Sequence, residues 1–329
     1  MTDINLDTHT VSRGPEILVP KKNVIFDATV ASSLMGCARY TDMRFNHRFV
    51  SARGKSNSLE IGSLIHKVLE VFYKHQINGF KRETSIGQAM MAGHLYINGC
   101  PHCADGTEAT PACGHEPGEY PGVSNTPEKN ESWVVGWQFA LDTCEQYFKF
   151  YEGDALIPLA AEWVKSQLIY EDDEIRVGWK AKFDLTVDTN QIGIVSMDHK
   201  TFKQRRDKST LSNQFTGHCV LLNSRHVIVN KIGLQTTLKI ADRLTREIVN
   251  YSAERLREWK EEIIPYYAYK YLQYKESNSW PPNYSHCDGV FGACMYKEVC
   301  EADTNMRGEI LRSQFILAPV WDPVNKEVE

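Results

Sequence analysis

The sequence predicts an α/β (α+β) fold, with a small mixed central sheet flanked by helices and a Cys-rich insertion. Three observations predict it. Ile61, Leu64, Ile65, Val68, Leu69 and Phe72 recur at helical spacing, forming one apolar stripe. Residues 161–170, 174–188 and 191–199 change to a period of two, as three successive strands do. Residues 97–127 are dense in Gly, Pro and Cys, which excludes a helix or a core strand and marks an insert.

The remaining elements follow in order. Residues 1–23 carry Gly14, Pro15 and Pro20 without periodicity and read as a flexible arm. Val30, Leu34, Cys37 and Tyr40 predict a short helix within 27–45. The striped helix spans 58–75, with Ser58 as N-cap and Asn78-Gly79 as its stop. A second strong helix covers 131–151, with Val134, Trp137, Leu141, Cys144 and Phe148 in phase. The acidic run 171–173 and Thr189-Asn190 supply turns between the strands. A helix starting near Thr210, a strand over 226–234 and a long helix over 241–274 complete the order, before Trp280-Pro281-Pro282. One domain is expected over 24–305, with 306–329 as a tail.

Composition narrows the function. The 329 residues are 42 % hydrophobic and 24 % charged, which excludes a disordered or collagen-like chain. No apolar run approaches the roughly 20 residues that span a bilayer. Met1 to His9 carries acids rather than a basic, apolar leader, so a cytoplasmic protein with no membrane partner is expected. The net charge of −5 excludes a global basic field. Nine Cys, an odd number, in a reducing compartment point to metal ligation or redox chemistry rather than disulfides.

The sharpest chemical signal lies in 178–204. Asp198 and Lys200 are two apart on one strand and share a face, and a hairpin through Thr189-Asn190 brings Asp184 to a similar level. Two carboxylates beside an ammonium suit Mg²⁺ or Mn²⁺ acting on a phosphate. The bland alternative is a surface salt bridge, but Ile194, Val195 and Met197 make the run apolar, where lone charges are costly. His66, at the border of the apolar stripe, could reach an ion at the sheet edge. Glu70, one turn on, reads as a partner on the helix surface.

GSLIHKVLE (62–70), GWKAKFD (178–184) and DHKT (198–201), in that order, resemble the RecB-like branch of the PD-(D/E)XK nuclease superfamily over nearly the whole chain. The resemblance implies a restriction-endonuclease-like core. It implies a divalent ion held by His66, Asp184, Asp198 and the backbone carbonyl of His199, with Lys200 as the catalytic lysine. The family's Q-x-x-x-Y helix corresponds to Gln214, with His218 in place of the tyrosine.

Cys287, Cys294 and Cys300 stand in a C-x6-C-x5-C pattern, with Cys37 far upstream. Structural zinc sites usually come as two close pairs, whereas three clustered thiols and one distant thiol are compatible with an iron–sulfur cluster. The pattern is similar to the iron–sulfur branch of the family, which includes CRISPR-associated exonucleases and AddB-type helicase–nucleases. That likeness implies a [4Fe–4S] cluster joining the two ends of the nuclease. Cys144 and Cys219 sit in apolar runs and read as core residues. Inside the insert, Cys100, Cys103, Cys113 and His115 form C-x2-C-x9-C-x-H, a reasonable Zn²⁺ site in which His102 could replace His115. Lys203, Arg205, Arg206 and Lys208 follow Lys200 closely and could neutralise phosphates beside the ion.

The expectation is a metal-dependent DNA exonuclease or endonuclease acting on ends or single strands. The alternative is a catalytically weak nuclease fold that serves as a DNA-binding or assembly module, with a partner in recombination, packaging or CRISPR adaptation.

Overall fold

The structure is a computed structural model that describes residues 21–52, 57–100, 115, 136–202, 211–289 and 292–321. It is a mixed α/β architecture with a central mixed sheet flanked by helices. In chain order the elements are β1 (Lys22–Phe26), α1 (Ala28–Gly36), α2 (Ala38–Thr41), a π-helical turn (Asp42–Asn46), β2 (Phe49–Ser51), α3 (Asn57–Ile77), α4 (Arg82–Asn98) and α5 (Trp137–Phe150). The meander β3 (Ile157–Glu171), β4 (Ile175–Thr189) and β5 (Gly193–Phe202) follows. Then come α6 (Asn213–Leu222), β6 (His226–Gly233), α7 (Ile240–Arg243), β7 (Leu244–Asn250), α8 (Ala253–Glu258), a second π turn (Trp259–Ile263) and α9 (Ile264–Ser277). The short elements β8 (Asp288–Gly289), β9 (Gly292–Ala293), α10 (Lys297–Glu301), α11 (Thr304–Gln314) and β10 (Phe315–Leu317) close the order.

The sheet runs β1-β4-β5-β6-β7, with β3 on the other edge of β4. Strand β4 is the axis. Its one edge is shared by β1, parallel along Ile175–Trp179, and by β5, antiparallel along Leu185–Thr189. Neither neighbour pairs with residues 180–184 on that edge. The sheet is therefore split where Asp184 stands.

One core lies between α3, α4, α5 and the sheet, built on Leu64, Ile65, Val68 and Leu69 against Leu185, Val187, Val195 and Met197. A second packs β1, α1 and α9 against Trp179 and Phe183, with Trp259 edge-on to Trp179 at 4.7 Å. A third, small cluster of Tyr296, Val299 and Phe315 gathers Tyr40, Met43 and Phe49, and β10 pairs with β2. The upstream and downstream segments of the chain thus meet in one satellite core.

Several expectations are corrected. The helix expected over 241–274 is divided, because Leu244–Asn250 leaves helical geometry and pairs antiparallel with β6 before α8 begins. Helix α4 is absent from the expected order: most of its buried face, Ser85, Ala89, Ala92 and Gly93, is too small to register as an apolar stripe, and the large Tyr96 and Ile97 come only in its last turn. The helix expected within 27–45 is interrupted at Cys37, which is extended (φ −158°) between α1 and α2. The segment assigned to an arm already enters the sheet at Lys22. The segment assigned to a tail forms α11 and β10, and Trp321 donates to Asp27 at the start of α1 at 2.7 Å.

Candidate active site

The site assembles where β4 and β5 part. Their last pair toward this end is Leu185–Met197, and beyond it the His199 amide donates to Asp184 Oδ2 at 2.9 Å. The carboxylate takes up a backbone donor at the split.

His66 arrives from α3. A Cβ on Gly62 would lie 3.2 Å from Thr201 Oγ1, so a glycine lets this helix approach β5 closely. One turn later His66 Nδ1 stands 3.6 Å from Asp184 Oδ2, and the imidazole remains about one-third exposed. Glu70 is largely buried, is engaged by Lys67 at 3.1 Å and by Lys74, and its charge is felt at Glu162.

Asp198 is almost wholly buried, and its carboxylate is held from two sides. Lys200 Nζ is 2.7 Å from Oδ2, and Gln214 Nε2 donates to Oδ1 at 2.7 Å. Lys200 also donates to Gln214 Oε1 at 3.2 Å. Burial works against the Lys200 charge, but Asp198 and Asp184 outweigh it and hold the ammonium above its ordinary value. Gln214 sits in the first turn of α6, capped by Ser212, whose Oγ accepts from Phe215 N at 3.4 Å. Trp259 Nε1 donates to Asn213 Oδ1 at 2.9 Å, and Gly217 presses against the Trp179 indole. These contacts fix the height of Gln214 over the sheet.

His218, four residues beyond Gln214, faces inward. It is buried, its Nδ1 is 3.2 Å from Ser196 Oγ, and its ring lies on Phe183 at 4.5 Å. It is a core residue. The His199 side chain is likewise buried, with Nδ1 2.8 Å from Asn230 Nδ2, and burial followed by the proximity of His66 drives its basicity well below the ordinary value.

One residue was missed from the sequence. Glu162 of β3 stands between the pairs Ala161–Leu185 and Trp163–Phe183, across from Asp184. Donor atoms of His66, Glu162 and Asp184 lie within 4.8 Å of one another, and among the described residues this is the set of His, Cys, Asp and Glu so grouped. Neighbouring ligands of an octahedral Mg²⁺ are about 3.0 Å apart, so the trio would draw inward by as much as about 2 Å to hold one hard ion. Lys182 Nζ is 2.8 Å from Glu162 Oε2. Burial and Asp184 push the Glu162 carboxyl up to about 7 despite this lysine.

The four cysteines Cys37, Cys287, Cys294 and Cys300 line one cavity of about 320 Å³, together with Tyr40 and His286. No three of their sulfurs lie within 4.8 Å of one another. Asn283 N donates to Cys37 Sγ at 3.3 Å. Cys144 and Cys219 are buried, and desolvation pushes each thiol up to about 12.

Of the expected Zn²⁺ ligands, Cys100 is buried and His115 is half-buried, while Cys103 and Cys113 lie outside the described residues. Lys203, Arg205, Arg206 and Lys208 lie outside them too. No described helix is long and apolar enough to cross a membrane.

No family profile and no curated protein matches the chain. Solved structures similar to it include two that follow. One is a candidate exonuclease from Eubacterium rectale, 12 % identical, covering 84 % of this chain and 88 % of that one, with a TM-score of 0.44. The other is SSO0001, 13 % identical, covering 50 % of this chain and 75 % of that one, with a TM-score of 0.31. Neither likeness identifies an activity.

Proposed function

We propose that the protein is a divalent-metal-dependent nuclease that hydrolyses phosphodiesters in DNA, at ends or in single strands. The observation that carries this reading is the joint placement of Asp184, Asp198, Lys200 and His66 at the split between β4 and β5. His66, Asp184 and Asp198, with the His199 carbonyl, would hold Mg²⁺ or Mn²⁺, and their nitrogen and carboxylate donors suit such an ion. When bound, the ion supplies Lewis-acid polarisation of the phosphate and a more acidic water.

The chain's own groups do the rest. Lys200 places a positive charge beside the carboxylates, where the non-bridging oxygens of a phosphate gain charge during displacement. Gln214 restrains both Lys200 and Asp198, so neither must reorganise when substrate arrives. Lys203, Arg205, Arg206 and Lys208 would neutralise phosphates along the strand. Cys37, Cys287, Cys294 and Cys300 would hold a [4Fe–4S] cluster that stabilises the junction of upstream and downstream segments, and Cys100, Cys103, Cys113 and His115 a Zn²⁺ ion in the insert.

The test is degradation of linear DNA in Mn²⁺ by the wild type, Asp198→Ala and Lys200→Ala. Activity in the wild type alone supports the reading. Equal degradation by all three removes the assignment. No cleavage of DNA or RNA by the wild type, with a co-purifying partner, favours the assembly module.

A further inference from the structure

We propose that Glu162 is a further side-chain ligand of the divalent-ion site, completing a His66–Glu162–Asp184 face. This deepens the metal-site reading above and rests on it.

Three separate elements supply this face, His66 from α3, Glu162 from β3 and Asp184 from β4. Their convergence is not a by-product of one acidic segment, because each donor is placed by its own packing. Glu162 is nearly buried, with a side chain about one-tenth exposed, and so is its partner Lys182. A buried carboxylate needs a cation, and here one is built into the next strand. That ammonium meets Glu162 Oε2, and a carboxylate has a second oxygen with which to meet an ion. The Lys182 pair then serves as an outer hydrogen bond that orients the ligand, as such partners do in metal sites.

The Glu162 backbone agrees with a fixed role. Its φ of +52° is left-handed in the middle of a strand, a conformation rare for a residue with a side chain. Asp198 has a different environment. Its two oxygens are met by Lys200 and Gln214, whereas Asp184 faces both His66 and the Glu162 strand. Asp198 on β5 and Asp184 on β4 border the site from the two sides of the split, and Glu162 would close it from β3.

Direct Mn²⁺ binding to the full chain, measured by calorimetry without nucleic acid, tests the assignment. Wild type, Glu162→Gln and Asp184→Asn are compared, and metal-free melting curves show whether each variant is folded. The expected result is that Glu162→Gln weakens Mn²⁺ binding roughly tenfold or more and loses most of the Mn²⁺-induced rise in melting temperature. Should Glu162→Gln fail to fold, Glu162→Asp, which keeps the charge but shortens the reach, is expected to show the same weakening. Wild-type affinity in a folded Glu162 variant, with binding lost in Asp184→Asn, overturns the role of Glu162 and leaves the nuclease reading standing. No Mn²⁺ binding by the wild type overturns both.

Discussion

The His199 amide donates to Asp184 Oδ2 at 2.9 Å, tying β5 to a carboxylate of β4 at the level where their ladder ends. The strand separation that leaves this donor available also makes room for His66. Sheet topology and site chemistry are consequences of the same split, and perturbations of the surrounding packing are expected to reach the site.

The cavity lined by Cys37, Cys287, Cys294 and Cys300 predicts iron. Protein purified without oxygen should be brown, with absorption near ~400 nm and iron bound to the chain. Cys300→Ser should lower folding yield more than Cys219→Ser, because cluster binding is coupled to folding. A colourless preparation holding only zinc would count against the cluster.

Gly217 faces the Trp179 indole with no space for a methyl group. Gly217→Ala should lower stability by ~1–3 kcal/mol, the usual cost of overpacking a core. The shift of α6 should also loosen Gln214 from Asp198 and Lys200. Denaturant melts and nuclease rates should therefore fall together, and an unchanged melt would refute the contact.

A buried polar chain supports β5 from behind. Asn230 Nδ2 lies 2.8 Å from His199 Nδ1 and donates to Tyr147 OH at 3.1 Å, while Tyr73 OH and Tyr147 OH are 2.8 Å apart. Asn230→Ala leaves buried polar groups unpaired, which costs about 1–3 kcal/mol. Chemical denaturation should show that loss, and Asn230→Asp should not repair it.

The turn between β3 and β4 carries an acid-sensitive contact. Partial burial opposes the Asp172 charge, but amides of Ile175 and Glu174 and hydroxyls of Tyr269 and Tyr170 outweigh it and lower the carboxyl to about 2. Its folded value lies below the ordinary ~3.9, so the charged form stabilises above about pH 4 and loses its effect as pH falls toward 2. Melting temperatures of wild type and Asp172→Asn should differ at pH 7 and converge between roughly pH 4 and 2. A gap that persists in acid would contradict this.

The fold was legible where side chains are large and periodic. Ile61 to Phe72 announce α3, and alternating apolar residues announce β3 to β5. β7 was not legible, because LTREIVN carries polar residues at its centre and follows the helical turn α7 directly. Asp184, Asp198 and Lys200 were visible as charges in apolar strands. Glu162 was hidden by register. Near the turn, Tyr170 pairs with Val177, a register that would set Trp163 across from Asp184. An irregularity between Leu168 and Tyr170 shifts the pairing by one, bringing Glu162 to that place. A one-residue slip exchanges faces, and no turn rule in the sequence foretells it.

In the proposed nuclease, Lys200 acts in phosphodiester cleavage beside an ion it does not bind. The most direct measurement is single-turnover cleavage of linear DNA together with Mn²⁺ affinity, in the wild type and Lys200→Met. Lys200→Met should retain Mn²⁺ binding and slow cleavage by roughly 10²–10³-fold, the usual loss of one preorganised charge-stabilising group. Unchanged cleavage by folded Lys200→Met, or no metal-dependent cleavage by the wild type, would contradict it.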